Sequence, residues 1–393
     1  MTVQRKLRFG QIGGGRESFI GATHRRAATF DGRVELVAGA LSRTPQKARQ
    51  SGTDLFLPVQ RIHDNWQQML EHELALPESE RIDFVSIATP NHAHFAPALA
   101  FVENGFHVIV DKPMVTNSEE ASALIAAVER HDVFFAVSYN YTGYPMVKQA
   151  QHIVQTGQLG EVQRVVVEYP QSWLREKIEA EGQKQALWRT DPVLSGKVGA
   201  VGDIGTHGEN LMSFITGLKI ESLCADLHTF VPGRQVDDDV SLLLRFAGGA
   251  RGILWVSQVA TGEENGLNIR VYGTTGGLRW RQDEPNLLHV QPAGKPDQVL
   301  RRGNPYLCPA AARATHIAAG LNEAFFEAFG NIYLNFTDTI RARLEDRSPS
   351  KLESDFPTVK DGARGVTFME KVLESSRCEN KWTAFPSSLS NGK

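Results

Sequence analysis

Cysteine is scarce: only Cys224, Cys308 and Cys378 occur in 393 residues, an odd number with no Cys-x-x-Cys spacing. That scarcity excludes a disulfide framework and a zinc knuckle, and it fits a reducing compartment, so a cytoplasmic location is expected. Positive charge is not in excess, since 42 Lys and Arg stand against 45 Asp and Glu for a net charge of −3. Binding to nucleic acid needs clustered cations that displace counterions from phosphates, so no nucleic-acid partner is expected. Long apolar runs are also missing. The most apolar windows, at 84–88 and 106–110, fall far short of the roughly 20 residues that span a bilayer, and no membrane partner is expected. The opening MTVQRKLRFGQIGGG lacks the apolar stretch and small-residue cleavage site of an export signal.

What is present is an ordinary globular composition over a length that exceeds one hydrophobic core, so two domains are expected. Across residues 1–140, short β-branched runs at 7–12, 34–40, 83–88, 107–110 and 133–138 alternate with helix-like segments. That alternation predicts a doubly wound parallel α/β sheet of Rossmann type. Ser118 before two glutamates reads as the N-cap of a helix, and Asn104-Gly105 closes the helix before it. The second domain, 141–393, opens with a helix at 144–155 and a strand at 162–169, followed by an irregular tract to about residue 200. Runs at 222–230, 240–246, 252–259, 267–272 and 277–281 then read as strands on tight turns, which predicts an α+β domain with a large, mainly antiparallel open sheet. Residues 316–343 and 360–375 have helical periodicity, and these C-terminal helices are free to pack back on the first domain.

Four tracts carry candidate chemistry. In RFGQIGGGRESFIG, Gly13 and Gly15 supply two glycines of a dinucleotide fingerprint between the first strand and first helix, where absent side chains let backbone amides approach a pyrophosphate. Ser18 stands where the third glycine belongs and Gly21 is displaced. The competing reading, a plain tight turn, loses weight because the motif follows the first strand of a βα alternation. Thr89, Pro90 and Asn91 end an inner strand, at the edge where open α/β sheets bind ligands. His92 and His94 follow; residues two apart share no helical face and no third ligand is near, so no metal is expected, and capping or cofactor contact remains for them. Lys112, in HVIVDKP, also leaves a strand end, where its ammonium either is solvated or holds a substrate hydroxyl beside a nicotinamide.

The fourth tract, GAVGDIGTHGENLMSFITG, places Asp203 and His207 four residues apart at a predicted helix start, on one face. The positive helix end is expected to keep His207 neutral, as a general base requires; the alternative is that Asp203 only caps the helix. Trp173, Trp188 and Arg189 in the irregular tract read either as core packing or as a platform on which the C–H face of a sugar ring rests.

With GQIGGG, ATPNHAH, DKPM and GDIGTH in that order, the chain over nearly its whole length resembles the Gfo/Idh/MocA oxidoreductase family (glucose-fructose oxidoreductase, inositol dehydrogenase and rhizopine catabolism). SFIGATHRRAA, SYNYTGYPM, EYPQSWL and WRTDPVLSG are most similar to its levoglucosan and inositol dehydrogenase branch. The resemblance implies that Lys112, Asp203 and His207 are catalytic, with Asp111 in place of the family's usual glutamate. It implies cofactor contacts from Gly13, Gly15, Ser18, Phe19, Ile20, Ser42, Arg43, Thr89, Pro90, Asn91, His94, Asp111 and Lys112. It implies substrate contacts from Tyr141, Gln171, Trp173, Trp188 and Arg189, besides Asp203 and His207. The expected reaction is hydride transfer from a ring hydroxyl of a sugar, anhydrosugar or cyclitol to NAD, by a homodimer or homotetramer. GALSRTP offers no acid for the adenosine 2′-hydroxyl, and Arg43 either pairs with a 2′-phosphate, making NADP the alternative, or stacks on adenine. Rival readings are a redox-neutral NAD-dependent glycosidase and a nonenzymatic cofactor sensor.

Overall fold

Five short strands rich in Val, Ile and Phe, β1 (Leu7–Gly13), β2 (Val34–Ala40), β3 (Phe84–Ala88), β4 (His107–Val110) and β5 (Phe135–Val137), pair in the order β2-β1-β3-β4-β5. Every pairing is parallel, so each strand returns through a crossover: α1 (Phe19–Ala28), α2 (Pro45–Asp54), α3 (Trp66–Ala75), α4 (Phe95–Glu103) and α5 (Ser118–His131). β3 is buried at all five positions, as a strand covered on both faces must be. The computed structural model describes residues 5–386, and the chain divides into two units. The first runs to Gly143 and also takes in Phe325–Gly362. Within it, Phe329, Ile332, Tyr333, Phe336 and Ile340 form one helical stripe of Phe325–Leu344 and join Leu7, Phe9, Phe84 and Ile109 in a common core.

The second unit, Tyr144–Ala324 with the residues from Ala363 on, is built on a nine-stranded sheet. Its strands are β6 (Val162–Pro170), β7 (Ile220–His228), β8 (Asp239–Phe246), β9 (Arg251–Ser257), β10 (Asn268–Gly273), β11 (Gly276–Arg281), β12 (Leu287–Pro292), β13 (Gln298–Arg301) and β14 (Thr383–Ala384). The order is β13-β12-β11-β10-β6-β9-β8-β7-β14, antiparallel except where β6 and β9 pair in parallel. Val165, Val167, Leu242, Leu244, Leu254 and Val256 fill one face, which the helices Pro145–Gln155 and Thr206–Thr216 cover. Leu243, Tyr272 and Val299 remain exposed.

Several expectations need correction. Asn117, not Ser118, caps α5: its side chain accepts the Glu120 N–H at 2.9 Å. β12 and β13 were not expected, because LLHVQP and QVLR are short and bounded by loops. Residues 316–324 are not helical, and buried Arg302 explains why. Its guanidinium donates to the carbonyls of Ile317, Ala318 and Leu321, while Glu323, 2.7 Å from Arg302, accepts the amides of His316 and Ile317. Those backbone groups are thereby taken from the ladder a helix would need. Among the described residues no helix is long and apolar enough to cross a membrane.

Candidate active site

In the first unit, the glycine-rich turn owes its glycines to close packing. A side chain at Gly21 would meet the Gly14 backbone at 2.2 Å, and one at Gly15 would meet Leu41 O and Ser51 Oγ at 2.6 Å. Gly13 and Gly14 have φ of +74° and +70°. The third glycine's role of bringing helix against loop therefore falls to Gly21. Ser18 takes a different part as N-cap of α1, its hydroxyl accepting the Gly21 N–H at 3.2 Å.

The loop's own amides are largely spent internally: Gly15 on Leu41 O, Arg16 on Ser51 Oγ and Ser18 on Gly15 O. Arg25 holds the Gly14 carbonyl at 2.6 Å and Gln11 Oε1 at 2.7 Å. An anion would thus meet the first turn of α1, Phe19 and Ile20, where a helix leaves amides without intrahelical partners. A recess of about 330 Å³ opens there, lined in part by Gly15, Ser18, Phe19, Arg25, Ser51 and Asp54. Phe19 is exposed, whereas Ile20 packs against the core. These features fit the pyrophosphate of a dinucleotide.

Ser42 accepts the Thr44 amide at 3.2 Å, and Arg43 lies exposed at the end of β2. Thr89 donates to Ala93 O at 3.1 Å, Pro90 is exposed and Asn91 is buried. His94 is fully enclosed, with Nδ1 3.0 Å from Pro113 O and Nε2 2.8 Å from Thr89 O, so it braces the loops after β3 and β4 against each other. Burial holds His94 below the ordinary imidazole range. Asp111 and Lys112 are half-buried, and Lys112-Pro113 is a cis peptide bond. Burial acts to raise the Asp111 carboxyl, but His24, Lys112 and Ser138 outweigh it and hold Asp111 well below the carboxylate range. Tyr141 belongs to this unit and is buried in the turn Asn140–Gly143.

The second unit gathers the remaining candidates around Asp203. Arg189 Nε donates to Asp203 Oδ1 at 3.2 Å and Gln258 Nε2 to Oδ2 at 2.8 Å. The same guanidinium lies 4.2 Å from the Trp188 ring and 5.8 Å from the Trp173 ring, so cation–π contact ties the indoles to the carboxylate. Trp173 Nε1 donates to Gln171 at 3.1 Å, Gln171 to Asn265 at 2.6 Å, and Tyr169 Oη to the same Asn265 oxygen at 2.8 Å. The two tryptophans are half-buried and edged with amides, an arrangement suited to a ligand with one apolar face and many hydroxyls.

Asp203 does not cap a helix, and His207 is not at a helix start. Val201–Gly205 is a π-helical turn that runs without a break into Thr206–Thr216. The cap comes from far along the chain: the Asp237 carboxylate accepts the amides of Gly199 at 2.7 Å and Val201 at 2.9 Å. Burial raises the Asp237 carboxyl. His207 therefore lies past the first turn, beyond the reach of the helix-end dipole that was expected to govern it. The π turn holds Asp203 and His207 close to one face, and such turns are frequent at functional sites.

Gln258, Asn265 and Asp237 were missed. Asp237, in VDDDV, and Gln258 flank strands, and nothing local marks which loop they reach. A separate cluster of His63, His72 and Glu73 brings three ligand-type atoms within 4.8 Å. Its carboxylate is engaged by Arg61 at 2.7 Å and the Ile82 amide at 2.9 Å, and we assign it no ligand.

Residues 7–139 match the family model described as "Oxidoreductase family, NAD-binding Rossmann fold", and residues 147–279 match the "GFO/IDH/MocA C-terminal domain". An inositol dehydrogenase homolog from Azotobacter vinelandii, solved with NAD+ and also with NADH and myo-inositol, is similar in structure. The NAD+ complex gives a TM-score of 0.91 at 33% identity over 97% of this chain and 98% of that one. An uncharacterized oxidoreductase of Bacillus subtilis is 30% identical over 98% of both chains. Levoglucosan dehydrogenase of Pseudarthrobacter phenanthrenivorans is 30% identical over 56% of this chain and 60% of that protein.

Proposed function

Since the chain belongs to the Gfo/Idh/MocA family and is an NAD-binding oxidoreductase, we propose that it oxidises a secondary ring hydroxyl of a cyclic polyhydroxylated compound: a sugar, an anhydrosugar or a cyclitol. The observation that carries this reading is the Trp173–Arg189–Trp188 stack bonded to Asp203, which offers aromatic faces, amides and charge to a polyol. NAD, when bound, supplies the hydride acceptor. The first turn of α1 would hold its pyrophosphate, with Gly13 and Gly15 letting the turn pack closely enough to bring it there, and Thr89, Pro90 and Asn91 would line the sheet edge beside it.

In this reading Lys112 donates a charge-assisted hydrogen bond to the reacting oxygen, which favours the developing alkoxide. His207 accepts the hydroxyl proton. Asp203, pinned by Arg189 and Gln258, orients His207 or accepts a second hydroxyl. Gln171 and Tyr141 complete the proposed substrate contacts. A homodimer or homotetramer is part of the same proposal.

A screen of cyclic polyols and anhydrosugars with NAD+ and NADP+, followed by absorbance of the reduced cofactor, tests the reading. Net reduction with at least one such compound, and with NAD+ preferred, is expected. Turnover of a glycoside without net reduction would assign the redox-neutral glycosidase instead.

A further inference from the structure

The histidine that faces Asp111, the residue before Lys112, has no part in the proposed reaction so far. His24, on the inward face of α1, is fully buried, with the Phe329 ring 5.0 Å and the Tyr333 ring 5.9 Å away, both roughly perpendicular. An imidazole in such surroundings is costly unless both nitrogens find partners. Nδ1 lies 2.6 Å from Tyr333 Oη, which lies 2.8 Å from Ser86 Oγ. On the other side, Nε2 lies 3.5 Å from Asp111 Oδ1, an electrostatic approach that falls short of a formed hydrogen bond, and that oxygen accepts the Ser138 hydroxyl at 2.5 Å. All of these residues belong to the first unit.

Proton bookkeeping gives this row a direction. Asp111 is ionised and can only accept, so Nε2 carries hydrogen toward it. Burial raises the Tyr333 phenol, which stays protonated and can donate to Nδ1 while accepting from Ser86. The row therefore runs from donor to acceptor as Ser86 to Tyr333 to His24, with the His24 Nε2–H facing the acceptor Asp111, the residue next to Lys112. Pro113 on the other side is held by His94 through its carbonyl. Lys112 emerges from a backbone gripped at both neighbours.

We propose that His24 is a positioning residue for the hydride-transfer reaction, acting through Asp111 to set where Lys112 points, with Ser86 and Tyr333 fixing its tautomer. The proposal rests on the reading of Lys112 as the group that meets the substrate hydroxyl. Charged or titratable groups facing Asp111 are His24 from α1, Lys112 beside it, His94 from the start of α4, and Tyr333.

Three variants of the full-length enzyme test it: His24→Leu, which removes both polar contacts; His24→Gln, whose amide can still donate to Asp111 and accept from Tyr333; and Tyr333→Phe. Each is assayed for kcat, KM, NAD+ dissociation constant and pH profile, with circular dichroism as the folding control. Misplacing a reacting group by a fraction of an ångström to 1 Å costs up to about 100-fold in rate, so His24→Leu should lower kcat by roughly 10- to 100-fold with KM and NAD+ affinity within about threefold. His24→Gln should recover most of that loss. Tyr333→Phe should fold, lower kcat less, and alter the pH profile, because the tautomer of His24 is no longer fixed. Equal turnover in His24→Leu and wild type, or an equal fall in the Gln and Leu variants, would overturn the proposal. Should Lys112→Ala itself leave kcat unchanged, the reading of Lys112 fails first, and the two failures are thereby told apart.

Discussion

The two units assemble their chemistry by different routes. In the Rossmann unit each proposed contact sits at the carboxyl end of its own strand or on the turn that follows, because parallel βαβ connections bring those ends to one edge. In the second unit, Asp203 depends on Arg189, 14 positions earlier, and Gln258, 55 positions later, while its helix is capped from Asp237. A parallel sheet collects functional groups by topology. The mixed sheet with its irregular tract collects them by long-range hydrogen bonds, so damage should spread differently in the two.

The sharpest test pairs Lys112→Ala with His207→Ala, one from each unit. General-base assistance is worth about 10²- to 10⁴-fold, so His207→Ala should lower turnover by that factor with NAD+ affinity preserved, and Lys112→Ala should be at least as severe. With His207 as base, oxidation should accelerate as pH rises and the base gives up its proton, and the dependence should vanish in His207→Ala. A folded His207→Ala enzyme with full turnover would remove the second unit from the proton transfer.

Gly21→Ala comes next. Its new methyl meets the Gly14 backbone at 2.2–2.6 Å, so loop and helix must part. A cost of roughly 1–3 kcal/mol is expected, with weakened NAD+ binding, in thermal melts run with and without cofactor. Smaller still, Trp188→Ala removes a cation–π partner worth about 0.5–2 kcal/mol, so the substrate KM should rise about 2- to 30-fold while NAD+ dissociation is unchanged. Equal weakening of both would break the division of labour between the units.

Acid should also separate them. Burial, together with neighbouring cations, lowers His63 and His107 of the Rossmann unit to about 4. Unfolded, each takes a proton near pH 6.5, so stability falls as pH drops from about 6.5 toward 4. Asp237 of the second unit acts in the opposite sense: its raised carboxyl costs stability above the unfolded value near 3.9, and that cost is relieved on acidification. Hydrogen exchange at pH 5 should therefore show the Rossmann unit loosening first, and His63→Gln should flatten its pH dependence.

The sequence carried more of the first unit than of the second. β1, β2, β3 and β4 were readable to within a residue because buried parallel strands are continuous apolar runs, and the second-unit strands from β6 to β11 to within two residues because alternation and turn residues mark them. In β12 and β13 the apolar residues are few and interrupted by His289, Gln291 and exposed positions, so no alternation stands out. Residues 316–324 have helical composition, and only the burial of Arg302 in the fold overrides it. Among the site residues, those on motifs were visible. Their supports were not, because the contact of His24 with Tyr333 spans 309 positions and leaves no local pattern.

The π turn at Val201–Gly205 has one more consequence. A π turn holds one residue more than an α-helix has room for, so a chain lacking Ile204 could close the same segment as regular helix. That shorter chain would gain a conventional hydrogen-bond ladder, with Asp203 and His207 three residues apart instead of four, still neighbours on one face but with the carboxylate shifted along and about the axis. The segment is thus a place where a more regular helix and the present placement of Asp203 are alternatives, and if Asp203 acts as proposed, a variant stabilised in this way would be expected to lose activity.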